Sequence, residues 1–136
     1  MLQNITTFRV RYGETDQMGI VNNAVYASWF EVGRTEMFCE LKFPYSEMEK
    51  RGLLLPLAEL NVRYHSPAYY EDMLTITTTI DEMPAAKIRI NYSISNQKGN
   101  LVATGYTIQA FVDAQTRRPM RIPGFLKDIL SQSGVL

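Results

Sequence analysis

Little in this sequence suits covalent bridging, metal binding or redox chemistry. Its 136 residues include one cysteine and one histidine. Cys39 has no partner for an internal disulfide, and His65 lacks the neighbouring Cys, His or acidic side chains whose spacing marks a metal site. No apolar run approaches the roughly 20 residues that a membrane helix needs, and no secretory leader pattern opens the chain. The expected setting is therefore the cytoplasm. Charge of one sign is not in excess either: 14 Lys and Arg balance 14 Asp and Glu, which leaves no general field to gather nucleic acid or anionic lipid. A Gly-x-Ser-x-Gly elbow, a phosphate-cradling glycine loop and a dinucleotide fingerprint are all missing, which argues against serine hydrolases, nucleotide enzymes and nicotinamide oxidoreductases.

What is present reads as one domain spanning residues 1–136, a length at which folding buries roughly two-thirds of the unfolded chain's surface. Phe8, Val10 and Tyr12 alternate with Arg9 and Arg11, the period of a strand with one buried face. Fraying is expected at Met1 to Thr6 and at Ser131 to Leu136. From Ala24 to about Leu41, Tyr26, Phe30, Gly33 and Met37 recur at helical spacing, beside a second stripe of Val25, Trp29 and Val32. Either Asn22 or Asn23 suits the cap of that helix. Glu31 and Arg34 stand at the spacing of an ion pair, and Cys39 is expected to pack in the interior. A short helix over Tyr45 to Arg51, ended by Gly52, follows.

Residues Leu57 to about Ala114 read as strands. Ile88, Ile90, Tyr92 and Ile94 alternate with Lys87, Arg89, Asn91 and Ser93, while Thr75 to Ile80 and Leu101 to Val112 are rich in branched and aromatic residues. Short turns at Asp81 to Pro84 and Asn96 to Asn100 make the sheet antiparallel. One long apolar helix and no second layer to cover it predict an α+β fold in which a curled antiparallel sheet wraps around that helix. Phe125, Leu126, Ile129 and Leu130 suggest a short terminal helix.

The segment with most chemical promise joins the first strand to the long helix, Arg11-Tyr12-Gly13-Glu14-Thr15-Asp16-Gln17-Met18-Gly19-Ile20-Val21-Asn22-Asn23-Ala24-Val25-Tyr26. It places Asp16 beside the amino end of the helix, where free N–H groups and the helix dipole favour a polarised carbonyl oxygen. A carboxylate facing such an oxyanion site is a workable hydrolytic pair. Asp is equally at home as a turn former in such a loop.

The motif Tyr12-Gly13-Glu14-Thr15-Asp16, with Gly19, Val21-Asn22-Asn23 and Tyr26, resembles the signature of the hot-dog acyl-CoA thioesterases, in particular the 4-hydroxybenzoyl-CoA thioesterase-like branch. The likeness continues through Phe30-Glu31-x-x-Arg34-x-Glu36, Tyr64-His65-Ser66-Pro67-Ala68-x-Tyr70-x-Asp72 and Arg121-Ile122-Pro123. It implies the hot-dog fold, with Asp16 as nucleophile or as the base that activates water. It also implies active sites at the interface of a homodimer, with dimers able to pair into homotetramers. No cofactor is implied, coenzyme A being part of the substrate, and neither nucleic acid nor membrane insertion is expected.

On that resemblance, amides near Val21 to Ala24 polarise the thioester carbonyl and Gly19 permits close approach of the chain to substrate. Tyr12 and Asn23 occupy positions similar to an auxiliary tyrosine and a histidine of one bacterial branch. Asparagine hydrogen-bonds but does not shuttle protons near neutral pH. Lys87 and Arg89, on one side of a strand, are the best-motivated cations for the phosphates of coenzyme A, and Tyr26, Trp29, Phe30, Leu54, Leu55 and Leu57 are candidate liners of the acyl pocket. A structural or surface role is expected for His65. An acyl-acyl-carrier-protein thioesterase and a non-catalytic acyl-thioester binding module remain as alternatives to an acyl-CoA thioesterase.

Overall fold

A computed structural model describes residues 1–134 and 136. Its element order is β1 (Leu2–Arg9), two single-turn 3-10 helices (Tyr12–Glu14 and Asn23–Val25), α1 (Tyr26–Glu40), α2 (Tyr45–Lys50) and β2 (Leu53–Leu54). Then come β3 (Leu57–Tyr64), β4 (Met73–Ile80), β5 (Lys87–Ser95), β6 (Leu101–Asp113), β7 (Pro119–Met120) and α3 (Gly124–Gln132). The antiparallel sheet runs β1-β4-β5-β6, and β6 also pairs with β3, β2 and β7. The expected α+β arrangement is present: α1 lies against the sheet, and its Tyr26, Trp29, Phe30, Gly33, Met37 and Phe38 are buried.

The period-two reading of β5 is met residue by residue, and the branched run of β4 alternates in burial as well. Leu74, Ile76, Thr78 and Ile80 of β4 and Ile88, Ile90, Tyr92 and Ile94 of β5 all face inward. Phe30 stacks on Tyr92 with ring centroids 4.3 Å apart, which seats the middle of α1 over β5. Gly33 lets the helix lie close to β4, since a Cβ there would overlap the Thr78 hydroxyl. Behind Phe30, the Tyr92 hydroxyl meets Thr107 Oγ1 at 2.8 Å and accepts from Arg34 Nη1 at 3.2 Å.

The end of α1 is a Schellman turn, in which Phe43 N–H bonds to Phe38 C=O and Lys42 N–H to Cys39 C=O. Lys42 takes the left-handed position (φ 60°) that glycine usually fills. Phe38 and Phe43, at the two positions where apolar residues commonly accompany such a turn, are both buried.

Several expectations need correction. The first strand begins at Leu2 and ends at Arg9, so Met1 to Thr6 does not fray as a segment: Leu2 to Arg9 pair in continuous register with Ile80 to Met73. The Asn4 side chain also donates to the Glu40 carboxylate. Tyr12 belongs to a 3-10 turn and is 76% exposed, because the chain leaves the sheet before reaching it. The Ser131 to Leu136 stretch differs in part, with Ser131 and Gln132 inside α3; Val135 lies outside the described residues. Cys39 is exposed, on the solvent side of α1. No ion pair joins Glu31 and Arg34 among the described residues, since Arg34 turns instead to Tyr92.

Candidate active site

Asp16 opens a tight turn at the tip of a small antiparallel hairpin. Its N–H donates to Ile20 C=O at 2.8 Å, its C=O accepts from Gly19 N–H at 3.1 Å, and its Oδ1 accepts from Met18 N–H at 2.8 Å. Gly19 takes φ +80°, which only glycine adopts without strain. The base of the hairpin is the Thr15 to Val21 bridge, and Ile20 bridges onward to Tyr69. Asp16 is exposed, and its Oδ2 has no hydrogen-bond partner among the described residues.

The returning arm leads into α1. Asn22 is the cap, its Oδ1 accepting from Ala24 N–H at 2.9 Å, so the choice between the two asparagines falls on Asn22. Most amides from Val21 to Ala24 are already engaged. Val21 N–H binds Ala68 C=O at 2.9 Å, Asn22 N–H binds Glu14 C=O at 3.0 Å, and Ala24 N–H is held by the cap. Of that run only the Asn23 N–H lacks a partner among the described residues. The expectation of a whole run of free donors therefore narrows to one, because capping and packing of the hairpin consume the others.

Beside this junction lies a cavity of about 230 Å³. Ile20, Val21, Asn23 and Tyr26 line one side, and Tyr64, His65, Ser66 and Pro67 the other. Tyr64 stands edge-on to Tyr26 with centroids 5.0 Å apart, and its hydroxyl donates to Asn23 C=O at 3.0 Å. The motif around Pro67 and Ala68 thus closes on the Asp16 hairpin. His65 is at the strand end and exposed, with Nε2 against Thr104 Oγ1 at 2.8 Å, yet it also borders this cavity. The sequence assigns it a structural or surface role, and no local signal brings the end of β3 to the start of α1.

Asp16 does not itself line this cavity in the single chain. Tyr12 lies nearby in sequence, its ring edge-on to Tyr70 at 5.5 Å. Of the candidate acyl liners, Tyr26 faces the cavity, Trp29 and Phe30 are closed into the core, Leu54 is half-buried and Leu57 exposed. Leu55 borders a separate cavity of about 380 Å³ with Phe38, Tyr45 and Gln109. Lys87 and Arg89 border a third, of about 530 Å³, at the β4–β5 turn. There the Arg89 guanidinium sits 3.9 Å from the centre of the Tyr106 ring and Arg89 Nε donates to Asn91. Among the described residues, no group of three or more His, Cys, Asp or Glu could hold a metal ion, and no helix is long and apolar enough to cross a membrane.

Burial raises the phenol of Tyr26 above its ordinary value of 10.0, the neighbouring Tyr64 adds to the rise, and a backbone hydrogen bond from Ala68 opposes it. A raised folded-state value makes this phenol's contribution to stability complete below pH 10 and lost as pH rises through it. Tyr92, raised chiefly by burial as well, acts in the same direction. Melting temperatures measured from pH 8 to 11 are expected to fall on the alkaline side, with a smaller fall in Tyr26→Phe; an equal fall in the variant would contradict this account of Tyr26.

A large antiparallel sheet packed against the buried face of α1, with an acidic hairpin at that helix's amino end, is the arrangement of a hot-dog protein of the thioesterase type. The chain belongs to the thioesterase-like superfamily, whose profile matches residues 10–130. It is 39% identical over 112 residues to YneP of Bacillus subtilis (strain 168), an acyl-CoA thioesterase by provisional name, covering 82% of this chain and 81% of that one. Acyl-CoA thioester hydrolase YbgC of Escherichia coli O6:H1 is 29% identical over 124 residues, 88% of this chain and 92% of its own. A crystal structure of a DHNA-CoA thioesterase from Staphylococcus aureus matches with a TM-score of 0.90 and 32% identity, covering 98% of this chain and 92% of the other.

Proposed function

We propose that the protein hydrolyses acyl-CoA thioesters to a free carboxylic acid and coenzyme A. One observation carries the reading: a single hairpin presents a carboxylate oxygen, Asp16 Oδ2, on one arm and delivers an amide, Asn23 N–H, on the other, neither with a partner among the described residues. The acyl-CoA thioesterase relatives support it. Developing negative charge on the thioester oxygen is met by the Asn23 amide at the start of α1, a contribution of about 3 kcal/mol for a well-placed donor. Asn22 and Ala24 hold that amide in place through the cap, Val21 seals the base of the hairpin, and Gly19 lets the tip turn.

Two routes use this pair. Asp16 attacks the carbonyl carbon, the C–S bond breaks and coenzyme A leaves as thiolate; water then cleaves the acyl-aspartyl anhydride to the free acid and the Asp16 carboxylate, and the proton that water releases neutralises the thiolate. Alternatively Asp16 takes a proton from water as its oxygen bonds to that carbon, and the proton passes to the departing thiolate. Both give the same products. The acyl group enters beside Tyr26 and Tyr64, while Lys87 meets the coenzyme A phosphates on the outer face of β5. Arg89 contributes less there, being already stacked on Tyr106. In this reading Tyr12, exposed beside the hairpin, contacts substrate.

The site is completed by a second copy of the chain. Among the described residues β3 borders β6 alone, and it exposes Leu57, Leu60 and Tyr64 at 51%, 41% and 50%, an apolar edge of the kind that seeks a partner strand. Joining two such edges places the end of β3, with Tyr64, at the junction of the subunits. The cytoplasm, where thiols stay reduced, suits the exposed Cys39.

The direct test is a panel of aryl, short-chain and long-chain acyl-CoA substrates with detection of released thiol, run beside the same acyl groups on acyl carrier protein. Release from CoA esters, by a species of at least twice 15.6 kDa in solution, is the expected result. Release from the carrier protein alone would shift the substrate to acyl-carrier thioesters, and binding without release would make the protein a non-catalytic module.

A further inference from the structure

The hairpin that carries Asp16 is not held by its own turn alone. Glu14, two residues earlier, is 9% exposed, an unusual place for a carboxylate. Its Oε1 accepts from Arg11 N–H at 2.8 Å and its Oε2 from the Trp29 indole Nε1–H at 2.9 Å. The Arg11 guanidinium lies 3.6 Å from Oε2. On the main chain, Glu14 N–H donates to Arg11 C=O and Glu14 C=O accepts from Asn22 N–H, both at 3.0 Å. One residue thereby fastens the outgoing arm of the hairpin, the returning arm and α1, where Trp29 sits 2% exposed.

We propose that Glu14 is a positioning residue for hydrolysis: through Trp29 it locks the angle between the Asp16 hairpin and the first turn of α1, and so the separation of the Asp16 carboxylate from the Asn23 amide. This rests on the reading of Asp16 given above. Glu14 does not touch substrate. A carboxylate is needed because both oxygens accept; an amide would turn an NH2 toward either the Trp29 or the Arg11 donor. Misplacement by about 1 Å is enough to lower turnover on the order of a hundredfold, although the hairpin keeps its own turn hydrogen bonds.

The test uses the full chain and four variants: Glu14→Gln, Trp29→Phe, their combination, and Thr107→Val. The last removes a buried hydrogen bond to Tyr92, remote from the hairpin. Glu14→Gln and Trp29→Phe are each expected to lower kcat between about tenfold and a hundredfold, with KM changed less than about threefold. The combination should lose no more than the worse of the two, because both break one bond. Thr107→Val should lose thermal stability with kcat intact.

A merely structural Glu14 would behave like Thr107→Val, with full kcat per folded molecule in both Glu14→Gln and Trp29→Phe, and that result would overturn the proposal. Should Glu14→Gln fail to fold, Trp29→Phe still decides, since it deletes the same bond without stranding a donor. Multiplicative losses in the combined variant would also overturn it. Asp16→Asn run in parallel separates the two readings. Inactivity there with a fully active Glu14→Gln removes only the positioning role, whereas full activity there removes the Asp16 reading itself.

Discussion

Asp16→Asn is expected to lower kcat for acyl-CoA hydrolysis roughly a hundred- to ten-thousand-fold, with the fold intact. The amide oxygen of asparagine still accepts from Met18 N–H, so the turn that Asp16 Oδ1 organises survives. What disappears is the free second oxygen, which as an NH2 neither attacks a carbonyl carbon nor accepts a proton from water. Steady-state kinetics on the best substrate of the panel, with circular dichroism and thermal melting on the same samples, checks both halves. A folded variant with near-native kcat would assign Asp16 to the turn alone, the role its bond to Met18 already satisfies.

The second large effect is on stability. Gly105→Ala is expected to cost about 3 kcal/mol, at the upper end for overpacking, and to lower the melting temperature by about 10 °C. Gly105 lies in β6 opposite Val62 of β3. A Cβ there would overlap the Asn61 backbone oxygen and come within 2.9 Å of Phe30 Cε2. The backbone oxygen is fixed by strand pairing and Phe30 by its stack on Tyr92, so neither can yield cheaply. The strain falls on the β3–β6 pairing, and β3 carries Tyr64 and His65 to the cavity beside Asn23. Activity should fall together with stability, and a melting temperature within 2 °C of the parent, on the order of half a kcal/mol, would contradict the close approach.

The central sheet was legible because β4 and β5 have one buried face, and alternation of Ile and Tyr with Lys, Arg, Asn and Ser records it directly. α1 was legible through Tyr26, Phe30, Gly33 and Met37, all of which are buried. β1 was partly hidden, because Gln3, Asn4, Thr6 and Thr7 carry little apolar pattern and become a strand through pairing with β4. Cys39 misled by its chemistry: a thiol packs readily in a core, but its helical position turns it outward. The Asp16 hairpin could be placed by its glycine and its acidic residue, and the cap by its asparagines. Contacts that join distant segments left no such trace, whether Tyr64 to Asn23, 41 residues apart, or Trp29 to Glu14, 15 apart. A Glu amid polar neighbours reads as solvated until its partner is seen.

The pairing of β1 bears on the order of assembly. β5 and β6 are joined by a short turn in which Asn96 Oδ1 accepts from the N–H groups of Lys98 and Asn100, so that hairpin can zip from a local start. Leu2 instead meets Ile80, and closing so long a stretch of chain is entropically slow. The strand that leads into the Asp16 hairpin is therefore expected to dock late, after the layers it covers are in place, so that the reactive turn takes its final bearing only as folding finishes.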